Sequence, residues 1–309
     1  MPITEKQRQQ RRGFIGSSDA AAILGADAYR TAYDVWAEKT GRLAPQADGD
    51  NAAAGLGTVL ERSLLDMGAA RLGLRIRKNV RKVHPNKIMA ASLDAYSERV
   101  IDGCWRRVAL ECKTTGLTGP APHRDQWGEE GSTDVPEHVL IQCCHQMACA
   151  RLDAVHVVAL IGGMGFRTYL LERDEAVISS LTSRLCDWWH SHVIADMPPS
   201  DSVPSWDVAQ RMRRQPASRV AVPSVAVSMF RQAREARLTA EKLEEAAKAA
   251  LLAALGDAEA GDSDCGSVTF MPVVTRDFDE ATFRVLHPDL FEQFKIERMS
   301  RKLHLKKQK

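Results

Sequence analysis

Two periods of apolar residues run through this chain, and the points where one gives way to the other divide it into elements. After a polar opening, IGSSDAAAILG (15–25) and TAYDVWAEKTG (31–41) each set a hydroxyl residue before a short apolar run and close on glycine. That grammar predicts two short helices, the first N-capped by Ser17 or Ser18. Leu60, Leu64 and Met67 then recur at i, i+4 and i+7, which predicts a helix over 57–73 with Glu61 in its first turn, beside the apolar stripe. Runs 77–83, 89–96 and 104–115 shift to a period of two and predict an antiparallel meander, with Ile101-Asp102-Gly103 turning into its third strand. Pro136 opens the helix PEHVLIQCCHQMACAR, AVHVVALIGG and FRTYLLER predict two strands about a glycine turn, and 174–193 reads as a closing helix.

Beyond these elements MPPSDSVPSWD (197–207) is rich in Pro and Ser, so a boundary is expected near residue 200. The expected organisation is an α/β domain over 1–200, a linker over 201–220, and a helical C-terminal extension over 221–309. That extension holds a long helix over 224–255, a small hairpin in SDCGSVTFMPVV (263–274) and a basic tail.

The stretch ALECKTT (109–115) carries the most chemical information. Residues i and i+2 of a strand share a face, so Glu111 and Lys113 look into one space while Leu110 and Cys112 pack behind them. An arbitrary ExK is an exposed ion pair more often than a site. Here Asp94 ends the preceding strand-like run, Glu61 comes from the helix before it and Gln142 from the helix after it. Converging carboxylates repel, and a hard divalent cation with oxygen ligands, Mg²⁺ above all, is the simplest way to stabilise them. A lysine beside such an ion can position or deprotonate a water for attack on a phosphodiester.

Composition narrows the field only slightly. With 309 residues, 44% apolar and 27% charged, the chain can bury a sizeable core; 42 basic against 40 acidic residues make any nucleic-acid signal a matter of local clustering. Two clusters exist, 75–87 (RIRKNVRKVHPNK) and 298–309 (RMSRKLHLKKQK), each with six Lys or Arg and no acid. Seven cysteines without a CxxC pair read as reduced core thiols and a cytoplasmic setting. The polar MPITEKQRQQRR is not a signal peptide, and the longest nearly apolar run, 154–166, is too short to span a bilayer.

Asp94, sixteen residues, then Glu111-Cys112-Lys113 resembles the PD-(D/E)xK nuclease core. RRGFIGSSDAAAILG, YDVWAEKTG, GTVLE, ASLDAY, LECKTT and VPEHVLIQCCHQM occur in the order of the YqaJ-like viral recombinase family, related to the phage lambda-type alkaline exonuclease, across roughly 10–195. The resemblance implies a mixed β-sheet flanked by helices, the restriction-endonuclease-like architecture. It also implies Mg²⁺-dependent 5′→3′ digestion of one strand of linear duplex DNA to mononucleotides, Mn²⁺ substituting, with a 3′ overhang left for a single-strand annealing protein of phage or prophage origin. Asp94 and Glu111 would then ligate the metal together with the Cys112 carbonyl. Glu61 would hold a second metal or a metal water, Lys113 would orient or activate the attacking water, and Gln142 would position either.

Arg11 matches the family arginine on the 5′-phosphate, with Arg12 one residue away as the alternative register, and Ser18 matches a nearby hydroxyl contact. Arg75, Arg77 and Lys78 in the first basic cluster are candidates for phosphate contacts in the channel of a homo-oligomeric ring, most simply a trimer. Ala95 departs from the glycine usual after the aspartate and puts the local turn in question. An endonuclease, a Cas4-like end-trimming nuclease and a non-catalytic DNA-end-binding protein are the rival readings. Cys143, Cys144, His145 and Cys149 lack iron–sulfur spacing and read as core; Gly162 to Gly165 read as a hairpin turn, and Trp127 as a loop anchor.

Overall fold

The computed structural model describes residues 9–44, 52–101, 104–117, 124–296 and 301–305. The chain divides into two compact units, Met1–Arg214 and Gln215–Lys309. The first unit begins with α1 (Ser17–Ile23), α2 (Ala32–Lys39) and α3 (Ala52–Leu72), followed by β1 (Arg77–Val83), β2 (Ala90–Ile101) and β3 (Cys104–Thr115). Then come α4 (Glu137–Ala150), β4 (Ala154–Ile161), β5 (Gly165–Glu172), α5 (Glu175–Trp188) with a π-helical turn after it, and α6 (Trp206–Arg211).

The strands form one five-stranded sheet in chain order, antiparallel except where β3 and β4 run parallel, with α4 in the crossover between them. This is the mixed sheet flanked by helices that the resemblance implies. β4, VHVVAL at its centre, is nearly continuous in apolar residues because both of its faces are covered. On one face Leu93, Ala109, Val155 and Val157 pack with Val139, Cys143 and Met147 of α4 and with Ala20 of α1. On the other, Leu110 and Val158 pack against Leu65 and Ala69 of α3. Gly68 lets α3 approach this closely, since a Cβ there would stand 2.4 Å from Val158 Cγ1.

Several boundaries differ from the sequence reading. Gly16, not Ser17 or Ser18, is the N-cap of α1, and Asp19 three residues on takes the Gly16 amide at 2.9 Å. α3 starts five residues before Gly57, β2 runs on to Ile101 because β3 pairs with it throughout 95–101, and the turn at 102–103 lies outside the described residues. The expected linker is partly structured. Ser205 donates its amide to Asp34 Oδ1 at 2.9 Å, Arg213 donates to the Arg42 carbonyl at 2.8 Å, and Val208 is buried with Trp36 and Leu43.

The second unit contains α7 (Ser224–Leu255), a β6–β7 hairpin (Ala260–Ser263, Gly266–Thr269), α8 (Glu280–Leu286) and α9 (Pro288–Gln293). The hairpin therefore starts earlier than expected and ends before MPVV. No described residue of this unit is buried. In the basic tail, 297–300 and 306–309 lie outside the described residues.

All seven cysteines are free. Cys143, Cys144 and Cys149 are core residues as expected, whereas Cys104 and Cys265 are exposed. The glycine turn joins β4 to β5, and Trp127 is buried 5.2 Å from the Tyr169 ring. No described helix is long and apolar enough to cross a membrane.

Candidate active site where two strands part

The β2–β3 ladder runs from Ile101 and Cys104 to Ala95 and Leu110 and stops there. One residue on along β2 and two along β3, the Cys112 amide donates to Asp94 Oδ2 at 2.9 Å, so a side-chain carboxyl oxygen stands where a backbone acceptor would continue the ladder. β3 keeps β4 on its other edge as far as Thr115, while β2 takes a new neighbour: Ile15 bridges to Met89, with Ile15 N to Ile88 O at 2.8 Å and Ala90 N to Ile15 O at 3.0 Å. The strands thus part at Asp94 and Glu111, and the chain entering α1 comes in beside the gap.

Glu111 and Lys113 do share a face, but it is the face covered by α4 rather than open solvent. Glu111 is 3% exposed. Its Oε1 receives Lys113 Nζ at 2.7 Å and Gln142 Nε2 at 2.5 Å, and its Oε2 receives Gln146 Nε2 at 2.6 Å. Gln142 completes a triangle by accepting from Lys113 at 2.8 Å. Burial works against the Lys113 charge, but the adjacent Glu111 outweighs it and holds the ammonium pKa above its ordinary value. Gln146 follows Gln142 by one helical turn, so both amides leave the same side of α4. The sequence reading named Gln142 and passed over Gln146, although the i, i+4 spacing was there to be read.

Burial, then the facing Glu111, push the Asp94 carboxyl up to about 8, with a smaller push from Glu61 on α3. Two carboxylates held so that one keeps its proton suit a hard cation, whose charge removes their repulsion. Without an ion in the site, burial raises the Cys112 thiol to about 12 and Cys143 well above its usual value, so both rest as neutral thiols. Among the described residues no three His, Cys, Asp or Glu side chains converge as a ligand cluster. The acidic donors here are Asp94 and Glu111, with Glu61 outside any such trio. Ala95, the departure from the usual glycine, is fully buried with Leu110 and Val158, so its methyl fills core space rather than disturbing a turn.

Next to this cleft lies a cavity of about 470 Å³ lined by Arg11, Phe14, Ser17, Ser18, Arg81 and Gln142, among others. Arg11 and Ser18 are therefore brought together as expected, and Gln142 belongs to both the cleft and the cavity. Arg12 points elsewhere, its Nη1 lying 3.7 Å from where a Cβ on Gly41 would stand. The first basic cluster divides. Arg75 is exposed, Arg77 lies over the Tyr96 ring with Glu98 at 3.7 Å, and Lys78 is tied to Asp66 at 2.6 Å. None of these three lines the cavity. The member that does is Arg81, its guanidinium 4.8 Å from the Phe14 ring centre.

Behind the cavity wall Ser17 Oγ is 3.1 Å from His145 Nδ1, and burial lowers the His145 pKa to about 4. The imidazole is neutral at physiological pH.

Residues 7–153 match the family described as YqaJ-like viral recombinase domain. The "Uncharacterized protein YqaJ" of Bacillus subtilis (strain 168) is 27% identical over 316 residues, covering 96% of this chain and 92% of that one. Two solved structures are similar at lower identity. The alkaline exonuclease LHK-Exo from Laribacter hongkongensis has a TM-score of 0.47 and 17% identity over 62% of this chain and 94% of its own. A phage-related exonuclease from Haemophilus somnus 129PT has a TM-score of 0.44 and 15% identity over 59% and 96%.

Proposed function

We propose that this chain, whose residues 7–153 match the YqaJ-like viral recombinase domain, is a metal-dependent exonuclease that digests the 5′-ended strand of linear duplex DNA. The observation that carries this reading is Gln142, which holds Lys113 and Glu111 on one side and lines the Arg11–Ser18 cavity on the other. An anion pocket one side chain away from a hydrolytic cleft suits a terminal phosphate with the scissile bond next to it. That spacing favours release of mononucleotides and leaves a 3′ overhang.

Asp94, Glu111 and the Cys112 carbonyl would hold the cation, Mg²⁺ with Mn²⁺ as substitute, which when bound would neutralise the scissile phosphate and supply a water of lowered pKa. Lys113 directs its ammonium protons at Glu111 and Gln142, and so is fixed at the edge of the cleft to orient the attacking water and meet developing negative charge. Gln142 and Gln146 keep both Glu111 oxygens in place. Arg11 offers a guanidinium fork to the terminal phosphate, with the Ser18 hydroxyl beside it.

The family likeness supports a phage or prophage recombination role in the cytoplasm, a single-strand annealing protein as partner, and a ring-shaped homotrimer threaded by DNA. The free thiols agree with a reducing compartment. The test is digestion of linear duplexes carrying 5′-phosphate or 5′-hydroxyl ends, with Mg²⁺ or with chelator. Mononucleotides from the phosphorylated strand in Mg²⁺ alone are expected. Cutting of covalently closed circles would favour an endonuclease, and tight end binding without cleavage a non-catalytic protein. Light scattering of the full chain tests the trimer.

A further inference from the structure

Lys39, the last residue of α2, has a fully buried side chain, an unusual place for an ammonium. Its Nζ donates to the Arg11 carbonyl at 2.9 Å and to Asp19 Oδ2 at 2.6 Å. Asp19, equally buried in the first turn of α1, accepts the Gly16 amide on the same oxygen at 2.9 Å, and its Oδ1 accepts from Arg30 Nη1 at 3.0 Å. One buried ion pair thus ties down both ends of the short segment between Arg11 and Gly16, the segment that also carries Phe14 into the cavity. The fit is tight: a Cβ on Gly16 would stand 3.2 Å from Asp19 Oδ2.

The pair touches neither the cleft nor the open cavity. A buried ion pair is a poor source of stability, because desolvating two charges offsets most of their attraction. What it does supply is direction, since Lys39 ends on the Arg11 carbonyl and Asp19 on the Gly16 amide, both backbone atoms of the cavity wall. Burial opposes the Asp19 charge, but Lys39 and Arg30 outweigh it and hold the carboxyl well below its usual range, so Asp19 stays a carboxylate at any working pH.

We propose that Lys39 and Asp19 are positioning residues that set where the Arg11 guanidinium stands in the cavity, and thereby set the preference for a 5′-phosphorylated end. The inference rests on the reading of the cavity as the end-binding site. A displacement of about 1 Å in a positioning group costs up to about 10²-fold in rate. Loss of the clamp therefore lowers kcat/KM on phosphorylated ends and leaves 5′-hydroxyl ends, which use Arg11 least, far less affected.

The experiment compares kcat/KM on duplexes with 5′-phosphate and 5′-hydroxyl ends for wild type, Arg11→Ala, Lys39→Arg and the double variant Asp19→Leu/Lys39→Met, with thermal melting of each. The double variant replaces both charges by apolar groups and avoids leaving one charge buried alone. The phosphate preference is expected to fall roughly tenfold or more in the double variant and measurably in Lys39→Arg, whose planar fork cannot reproduce the ammonium geometry. A wild-type preference in a folded double variant overturns the proposal, because a merely structural pair would slow both substrates alike. If the double variant does not fold, Lys39→Arg decides in the same way. If Arg11→Ala itself keeps the preference, the reading of the cavity fails, and that outcome is distinct from failure of the clamp.

Discussion

The Cys112 amide and the Asp94 carboxyl group meet at 2.9 Å just past the last β2–β3 pair, so the same side chain that ends the ladder also opens the cleft. Asp94 serves there as a structural acceptor and faces Glu111 as an acid. A divalent cation bound only by the folded protein raises its stability by about 2.7 kcal/mol at one hundred times Kd. Mg²⁺ should therefore raise the melting temperature of the wild type, and Asp94→Asn, which keeps a side-chain oxygen for the amide, should blunt the shift. Differential scanning calorimetry with and without Mg²⁺ checks this. A full shift in Asp94→Asn means that the ion binds elsewhere.

Lys113→Ala and Glu111→Ala should each lower the cleavage rate by roughly 10²-fold or more, with end binding retained in Lys113→Ala. Gln146→Leu separates holding from chemistry. It removes the 2.6 Å bond to Glu111 Oε2 without touching Lys113 or Gln142, and should cost less than either substitution. Single-turnover digestion gives all three rates. Equal rates for wild type and Glu111→Ala would remove the active-site assignment.

Why some of this was readable in the sequence and some was not follows from where the determinants lie. Glu111, Lys113 and Asp94 sit on strands whose period of two is local, and Gln142 sits on a helix with a clear start at Pro136, so pattern alone brought them out. Arg81 was hidden because its cluster has no reading direction in sequence. Asn79 adopts φ 57° and is skipped between the Lys78–Ala95 and Val80–Leu93 pairs, and Arg77 and Arg81 on either side of it reach different neighbours. The segment 205–213 looked like a linker by composition, but its partners Asp34 and Arg42 lie about 170 residues earlier. Lys39 is an unremarked helix-ending lysine until α1 and α2 are packed together.

Two glycines of α3 should respond to alanine in opposite senses. At Gly68 the new methyl would meet Val158 Cγ1 at 2.4 Å on a β-branched side chain with little freedom, so Gly68→Ala should destabilise by about 1–3 kcal/mol. At Gly55 nothing lies within 4 Å, and Gly55→Ala should stabilise by about 0.5–1 kcal/mol through helix propensity. Urea denaturation of both variants checks the pair, and a stable Gly68→Ala would contradict the close approach of α3 to the sheet.

His145 predicts an acid limb in stability. Its folded pKa, lowered by burial from 6.5 to about 4, lies below the unfolded value, so the unfolded chain takes up the proton first. The stability it contributes is intact above about pH 6.5 and is lost as pH falls towards 4. His145→Gln should flatten the stability–pH curve in that window, whatever it does to stability at neutral pH. An unchanged slope between pH 6.5 and 4 would mean that another group titrates there.

The divided basic cluster gives a prediction about DNA binding in which two neighbours on β1 behave differently. Arg81 lines the cavity with its guanidinium over Phe14, free of any acidic partner among the described residues, whereas Lys78 is spent on Asp66 at 2.6 Å and on the Arg62 carbonyl at 3.3 Å. A cation that contacts a phosphate releases about one counterion when DNA binds, so its removal lowers the salt-dependence slope by about one. Arg81→Ala should show that change and weaken binding alike for all sequences, while Lys78→Ala should leave the slope nearly as it was. Fluorescence anisotropy in a slowed Lys113→Ala background with chelator present, titrated with duplex ends from 50 to 200 mM salt (about the range over which such slopes are resolved), measures both. The reverse result would carry the DNA path past Lys78 and Asp66 of α3 and away from the cavity.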